Sequence, residues 1–357
     1  MSPKGLLVLA VVTLGAVALA AQAVMQRDLP ISTVSLDQPL APGLAERLDQ
    51  VAQIRVVAAG RTATVRRGEG GWVVDELGGF PVDAGKIQAL ARSLVTARVL
   101  EAKTDRPERW ARLEVEEPTA EKAKSRLVVL SDAGGTEIFK LVVGKTRYGL
   151  FGPGRGGVYA RRADEPRAWL LDRRIEIPEE PIGWIERRIL DVPRDQVARV
   201  VLRPGTPEEL VAVRAGAEAT GLTLEGVPEG RVADKDKLDR LAGTLSDLTL
   251  QDVKPAAQVA FADDAPRARF ETALGLVVEA VVHREGQGDD AAFWVKLAAS
   301  AGTPPAGEPP AGAAPPAEQV AALAPRLEGW AFKLSRWTAE RLGWTRDDLL
   351  QPAEKTS

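Results

Sequence analysis

The chain has 357 residues, 45% of them hydrophobic, and this length suggests about two domains of ordinary size. Its 47 basic and 50 acidic side chains give a formal net charge of −3 and are mixed along the sequence, which argues against a nucleic-acid partner. There is no Cys and one His, which excludes disulfides, thiolate nucleophiles, iron–sulfur clusters and the usual zinc sites.

The N-terminal segment 1–27 contains an almost unbroken apolar run from Gly5 to Ala21. A helix of about 20 such residues crosses a hydrocarbon core of roughly 30 Å. Lys4 favours a cytoplasmic N-terminus with the rest of the chain translocated. The small residues at 21–23 also fit a signal-peptide cleavage site, so a signal anchor, a cleaved signal peptide and a longer buried helix all stay open. Either of the first two readings places the body outside the cytoplasm.

Residues 28–50 are polar and contain prolines, and they predict a linker. The folded body then begins with three predicted strands at 53–57, 62–66 and 71–74, where small or apolar residues alternate with polar ones between glycine turns. A helix follows with Asp83 as its N-cap. Its apolar positions recur at helical spacing, namely Ile87, Leu90, Ala91, Leu94 and Val95.

The same pattern recurs later in the chain, which indicates an internal repeat. The matching segments of the second copy are 197–202, 210–214, 222–224 and a helix that begins after Val232-Ala233-Asp234. Hairpins are predicted at 126–143 and 269–283, and residues 157–161 are matched with residues 330–334. The sequence therefore predicts two tandem α+β modules at 51–192 and 193–350, each mainly an antiparallel sheet with one or two helices on a face, followed by a tail at 351–357.

A stretch rich in Pro, Ala and Gly near 302–316 has no hydrophobic periodicity. It cannot bury apolar surface, so it is predicted to be a disordered insertion in the second module. The alternative is a proline-rich contact with a partner or the cell wall.

Several of these segments resemble one bacterial family, the domain of unknown function 4340 (DUF4340). The resemblance rests on the N-terminal hydrophobic segment, the strand end at 71–74, the helix start at 81–83, the strand end at 142–145 and the link at 184–190. Members of this family are often anchored in the membrane and tend to be encoded beside parts of an ABC-type transport system, so the resemblance implies a membrane-anchored protein associated with such a system. No catalytic residues are known for the family, so the resemblance implies none here.

Two motifs could suggest an active site. The glycine run 152–157 resembles a phosphate loop, but a predicted strand follows it and Pro153 lacks a donor amide, so a wide turn is the favoured interpretation. His283 could serve as a general base, yet no nucleophile motif lies near it. A solvated histidine at the end of a strand is the simpler interpretation.

Paired charges are also interpreted structurally. The pairs Asp263-Asp264, Asp289-Asp290 and Asp347-Asp348 are assigned to turns or helix caps rather than to a metal site, because none lies in a calcium-binding loop. The arginine pairs at 161–162, 173–174 and 187–188 are assigned to solvated faces or salt bridges, with contact to lipid headgroups as an alternative.

The chain has eight tryptophans, and tryptophan is enriched at binding hot spots. Trp330, Trp337 and Trp344 recur every seven residues and are the candidate partner-contact residues. A single helical stripe is one interpretation, but a strand followed by a helix is expected.

The sequence thus favours a non-enzymatic cell-envelope protein with no cofactor and no catalytic, cofactor-binding or metal-binding residues. It is expected to be a single-pass protein of the bacterial inner membrane, with a cytoplasmic N-terminus and a periplasmic body. Its expected partners are the membrane and permease or ATPase subunits of an ABC-type system. The alternative is an extracytoplasmic receptor that binds a solute or glycan in the cleft between the two modules.

Overall fold

The structure is a computed structural model that describes residues 37–119, 121–150, 156–216, 220–304 and 314–352. The predicted anchor, most of the glycine run and the centre of the predicted insertion lie outside these ranges. The described residues form mainly antiparallel sheets with a few helices, as an α+β fold class predicts. None of the helices in the described ranges is long and apolar enough to cross a membrane.

The first sheet has ten antiparallel strands between residues 38 and 171. Its order is β1-β6-β10-β9-β8-β7-β2-β3-β4-β5. The bounds are β1 (Gln38–Pro39), β2 (Gln53–Ala58), β3 (Arg61–Gly68), β4 (Gly71–Val74), β5 (Phe80–Pro81), β6 (Arg98–Ala102), β7 (Arg126–Ser131), β8 (Glu137–Tyr148), β9 (Gly156–Arg162) and β10 (Ala168–Leu171).

The second sheet has eight antiparallel strands in the order β14-β13-β12-β18-β19-β20-β21-β17. Two further pairs, β11 with β16 and β15 with β22, form small ribbons. The bounds are β11 (Arg188–Leu190), β12 (Val197–Leu202), β13 (Leu210–Val213), β14 (Thr223–Leu224), β15 (Arg231–Ala233), β16 (Leu248–Thr249), β17 (Asp252–Pro255), β18 (Arg267–Thr272), β19 (Leu276–Glu285), β20 (Ala292–Ala301), β21 (Trp330–Leu334) and β22 (Leu350–Pro352).

Eight strands of the first sheet follow the same order as the second sheet when they are read β4-β3-β2-β7-β8-β9-β10-β6. Both predicted hairpins are present, as β7 with β8 and β18 with β19. The match of 157–161 with 330–334 is wrong, because β20 holds the position of β9 and β21 holds that of β10. β20 pairs with β19 on one side and β21 on the other, and neither pairing can be inferred from the spacing of its own residues.

Four α-helices lie in the described ranges: α1 (Ala84–Thr96), α2 (Lys235–Ala242), α3 (Pro316–Leu327) and α4 (Arg336–Leu342). The side chain of Asp83 caps α1 by accepting a hydrogen bond from the Gly85 amide at 2.9 Å. Asp234 caps α2 in the same way, accepting from the Lys237 amide at 3.1 Å. Each cap satisfies a backbone donor that the first helical turn leaves free.

The described part of the predicted linker, residues 37–50, packs against the first sheet. Leu40 and Leu44 are buried, and the Leu40 amide donates to the Ala97 carbonyl at 2.8 Å. Gln38 and Pro39 pair with β6 as an edge strand. This stretch is therefore part of the folded body, because its two leucines cover apolar surface that would otherwise contact water.

One cluster of buried apolar side chains extends through both sheets and includes Leu94, Val128, Trp184, Val278 and Phe332. The opposite face of each sheet is covered by a passing segment. Residues 107–115 cross the first sheet and residues 256–261 cross the second, and each forms a small apolar cluster of its own. Both faces of each sheet are therefore partly covered by chain.

Candidate functional site

Trp330 is located where the two sheets meet. Its ring contacts Phe80 of β5 edge-on, with ring centroids 4.9 Å apart. Phe332, two residues along the same strand, also contacts Phe80, at 6.3 Å. Trp330 is half-buried and packs against the main apolar cluster. The ring of this candidate partner-contact residue is therefore already used in packing within the chain.

Trp337 lies in the first turn of α4 and is 77% exposed. Arg341 stands one turn further along and donates from Nε to the Trp337 carbonyl at 3.1 Å. It also donates to the carbonyl of Arg240 in α2 at 3.0 Å. Burial, and to a lesser degree the charge of Arg240, lower the pKa of Arg341 below its usual value. We call Trp337, Arg240 and Arg341 the α4 surface.

Trp344 follows α4 and is half-buried against the main apolar cluster. It lines an open cavity of about 390 Å³ together with Phe293 and Arg284. Glu340 and Asp348 supply carboxylates to the same cavity. The three tryptophans thus have three different environments, in the expected arrangement of a strand followed by a helix.

A groove between the two sheets has a volume of about 350 Å³. Arg61 and Glu76 line it from the first sheet, and Asp252 lines it from the second. Arg61 forms an ion pair with Glu180 at 2.9 Å, and the Glu76 carboxylate accepts a hydrogen bond from the Thr64 amide at 2.9 Å. Several of the polar groups in this groove are therefore already bound to groups of the chain itself.

The other predicted candidates are located in structural settings. His283 is half-buried at the end of β19, with its ring 6.0 Å from that of Phe261. All three aspartate pairs lie in turns or short 3-10 segments, as predicted. Asp263-Asp264 lines a cavity of about 550 Å³ beside Arg203 and Arg267. Within the described ranges, no three His, Cys, Asp or Glu side chains could hold a metal ion.

Arg161 forms a salt bridge, which is one of the two predicted roles, but it is buried and does not lie on a solvated face. It is 1% exposed, with its guanidinium 3.8 Å from the ring centre of Trp110. It donates to the carbonyls of Val115 at 3.2 Å and Ala163 at 2.9 Å, and it forms an ion pair with Glu117. Val115 and Glu117 lie in a loop that is distant in sequence, so no local pattern could indicate these two contacts. The role is structural, since Arg161 holds the covering segment onto the first sheet.

A second polar cluster that the sequence did not indicate lies on the outer face of the second sheet. The indole of Trp294 donates to Glu285 at 2.6 Å, and the ammonium of Lys254 lies 3.9 Å from the Trp294 ring centre. The hydrogen bond from Trp294, with help from Lys254, lowers the pKa of Glu285. The three residues come from β17, β19 and β20, which come together only when the sheet forms. The spacing of residues in the sequence therefore could not indicate this cluster.

The comparisons with known proteins agree with the resemblance. The family described as "Domain of unknown function (DUF4340)" matches residues 72–268, which is more than half of the chain and includes strands of both sheets. No curated protein and no solved structure matches the chain. The chain therefore belongs to the DUF4340 family.

Proposed function

We propose that the protein is a non-enzymatic, membrane-anchored accessory protein of the cell envelope that binds another protein through the α4 surface. The observation that carries the proposal is the 77% exposure of Trp337. A large aromatic side chain in water is unfavourable, and tryptophan and arginine are enriched at the centres of protein interfaces. Arg240 and Arg341 would supply electrostatic steering toward an acidic partner.

The proposed partner is a permease or ATPase subunit of an ABC-type transport system. This choice rests on the family resemblance, because the genes of such proteins tend to lie beside those of transporter parts. The apolar run in segment 1–27 supports a single-pass anchor in the inner membrane, with the body in the periplasm. A periplasmic body would meet the periplasmic part of a permease, which makes the permease the first subunit to examine.

The test is affinity purification of the full-length, detergent-solubilised protein from its native host, followed by mass spectrometry. We expect permease or ATPase subunits with the unaltered protein and at least about tenfold less of them with Trp337→Ser. Tyr148→Ser is the matched control, since Tyr148 is 76% exposed but lies at the end of β8. Equal recovery with Trp337→Ser and Tyr148→Ser, or no transporter subunit in any sample, contradicts the proposal.

A second candidate function is a receptor that binds a solute in the groove between the two sheets. Its support is the volume of about 350 Å³, which falls in the range of small-molecule sites, and a lining drawn from both sheets. A ligand there would raise the melting temperature by mass action. Asp252→Ala should abolish that rise, whereas Asp347→Ala, at an exposed position elsewhere, should leave it unchanged.

We further propose that the body consists of two tandem modules, 51–192 and 193–350, that arose from one ancestral unit. The shared order of eight strands supports this, because chance would seldom reproduce it. The capping aspartates Asp83 and Asp234 hold equivalent places, each at the start of the helix that follows the first strands. A pairwise superposition of the two units in an experimental structure tests the proposal.

A further inference from the structure

The cavity beside Trp344 is lined by aromatic side chains, by carboxylates that already have hydrogen-bond donors, and by donors that have no acceptor within the described residues. Its wall contains the rings of Phe293 and Trp344 and the ring of Pro266. Its volume of about 390 Å³ lies within the range of small-molecule sites. The cavity is formed by the end of the second sheet and by α4, and it lies apart from the groove between the sheets.

Both carboxylates of the cavity already have partners. Glu340 forms an ion pair with Arg336 at 2.8 Å. Asp348 accepts hydrogen bonds from the Thr345 amide at 2.8 Å and from the Thr345 hydroxyl at 2.7 Å. The hydrogen bond from the Thr345 backbone amide is the main cause of the lowered pKa of Asp348. The two carboxylates are therefore oriented acceptors that already have donors within the chain, which removes a strong demand for a cationic ligand.

The donors of the cavity are free. Arg284 has no hydrogen bond or ion pair within the described part of the chain, and its guanidinium carbon lies 5.9 Å from the ring centre of Phe293. The indole N–H of Trp344 likewise has no acceptor among the described residues. A ligand would thus meet unused donors from Arg284 and Trp344 and oriented acceptors from Glu340 and Asp348, beside the half-buried ring of Trp344.

We propose that this cavity binds a neutral sugar, as a free saccharide or as the exposed end of a glycan. Each sugar hydroxyl is both a donor and an acceptor, so it can use both kinds of group that the cavity offers. The C–H face of a pyranose carries a weak positive charge and would pack on the electron-rich ring of Trp344, whereas Phe293 is only 7% exposed and forms part of the cavity wall. An anion is disfavoured, because the lining carries two carboxylates against the single cation Arg284.

The test is saturation-transfer NMR on the full-length protein in detergent. The probes are glucose, galactose, mannose, N-acetylglucosamine and maltose, with glycine as a zwitterionic probe and lysine as a cationic probe. We expect transfer to the ring protons of at least one sugar and none to the amino acids. Arg284→Ala and Trp344→Leu should each weaken the binding by at least about tenfold. Arg284 is exposed, so its variant should fold normally and keeps the test interpretable if Trp344→Leu is unstable.

Trp337→Leu is the matched control, because Trp337 lies on α4 but does not line the cavity. It should retain sugar binding while losing the proposed partner, so the failure of one proposal can be told from the failure of the other. Absence of transfer to every sugar overturns the inference. So does transfer that survives unchanged in Arg284→Ala, or preferential binding of the amino acids.

Discussion

The ring of Phe80 in β5 meets the indole of Trp330 in β21 edge-on, with centroids 4.9 Å apart and ring planes at 77°. The two residues belong to different sheets and come from distant parts of the chain. Edge-to-face aromatic pairs of this kind stabilise the folded state by more than the burial of their apolar area alone would give. The contact therefore fixes how the first sheet sits against the second.

A double-mutant cycle should measure that contribution. We expect Phe80→Leu and Trp330→Leu to show a coupling free energy of about 1 kcal/mol in urea denaturation. The control cycle combines Phe80→Leu with Trp337→Leu, because Trp337 is exposed and makes no ring contact with Phe80. That cycle should be additive, and coupling of equal size in both cycles would show that the effect is not local.

A substitution at Gly78 tests the same contact between the two sheets, because a side chain there would collide with the second sheet. It has φ +68°, and a Cβ atom there would lie 2.6 Å from Cγ and Cδ of Pro255 in the second sheet. Gly79 is a matched control, with φ +86° and nothing within 4 Å of its Cβ position. Gly79→Ala should cost about 1 kcal/mol from the left-handed conformation alone. Gly78→Ala should cost about 1–3 kcal/mol more, because the two sheets must separate.

Arg161 should prove more important for stability than any exposed arginine. Arg161→Met leaves the buried carbonyl of Val115 and the partly buried carbonyl of Ala163 without the Arg161 donor, so we expect a loss of about 3 kcal/mol. Hydrogen exchange should increase mainly in residues 107–117, which cover the outer face of the first sheet. The control is Arg174→Met, whose side chain is 42% exposed and pairs with Glu176. A uniform increase in exchange, or equal losses in the two variants, would contradict this role.

Asp234 should make the stability depend on pH. Its burial disfavours the charged form, but hydrogen bonds led by the Lys237 amide outweigh this and lower the pKa. A lowered folded-state pKa gives stability above the unfolded value of about 3.9, and this stability is lost as the pH falls through the folded value. Asp234→Ala should therefore cost about 1 kcal/mol at pH 7 and progressively less below about pH 4. Asp236→Ala, at an exposed position in the first turn of the same helix, should show a smaller effect when thermal melts of both variants are compared.

Helices α1 and α2 and the hairpins β7–β8 and β18–β19 were predictable because their signals are local. An N-cap such as Asp83 precedes its own helix, and the apolar residues that follow it recur at helical spacing. A hairpin such as β7 with β8 joins neighbouring segments across a short turn. β20 was missed although four of its large apolar residues are buried, because its place in the second sheet depends on pairing with both β19 and β21.

The candidate sites were less predictable, because they depend on contacts between distant segments. The spacing of Trp330, Trp337 and Trp344 is regular, yet one residue lies between sheets, one in solvent and one beside a cavity. Arg161 and Arg162 are neighbours in sequence, but strand geometry turns them to opposite faces and only Arg161 becomes buried. Sequence spacing carries no information on which distant loop will cover a given strand face.

The apolar cluster that extends through both sheets has a consequence for how the protein can be divided. Cutting the chain between β10 and β12 would leave Phe80 on one fragment and Phe332 on the other, each with its apolar neighbours facing water. Either fragment produced alone would expose a large apolar surface, so separate expression should give aggregates and not two folded fragments. Co-expression of the fragments offers the better route to a truncated yet folded body.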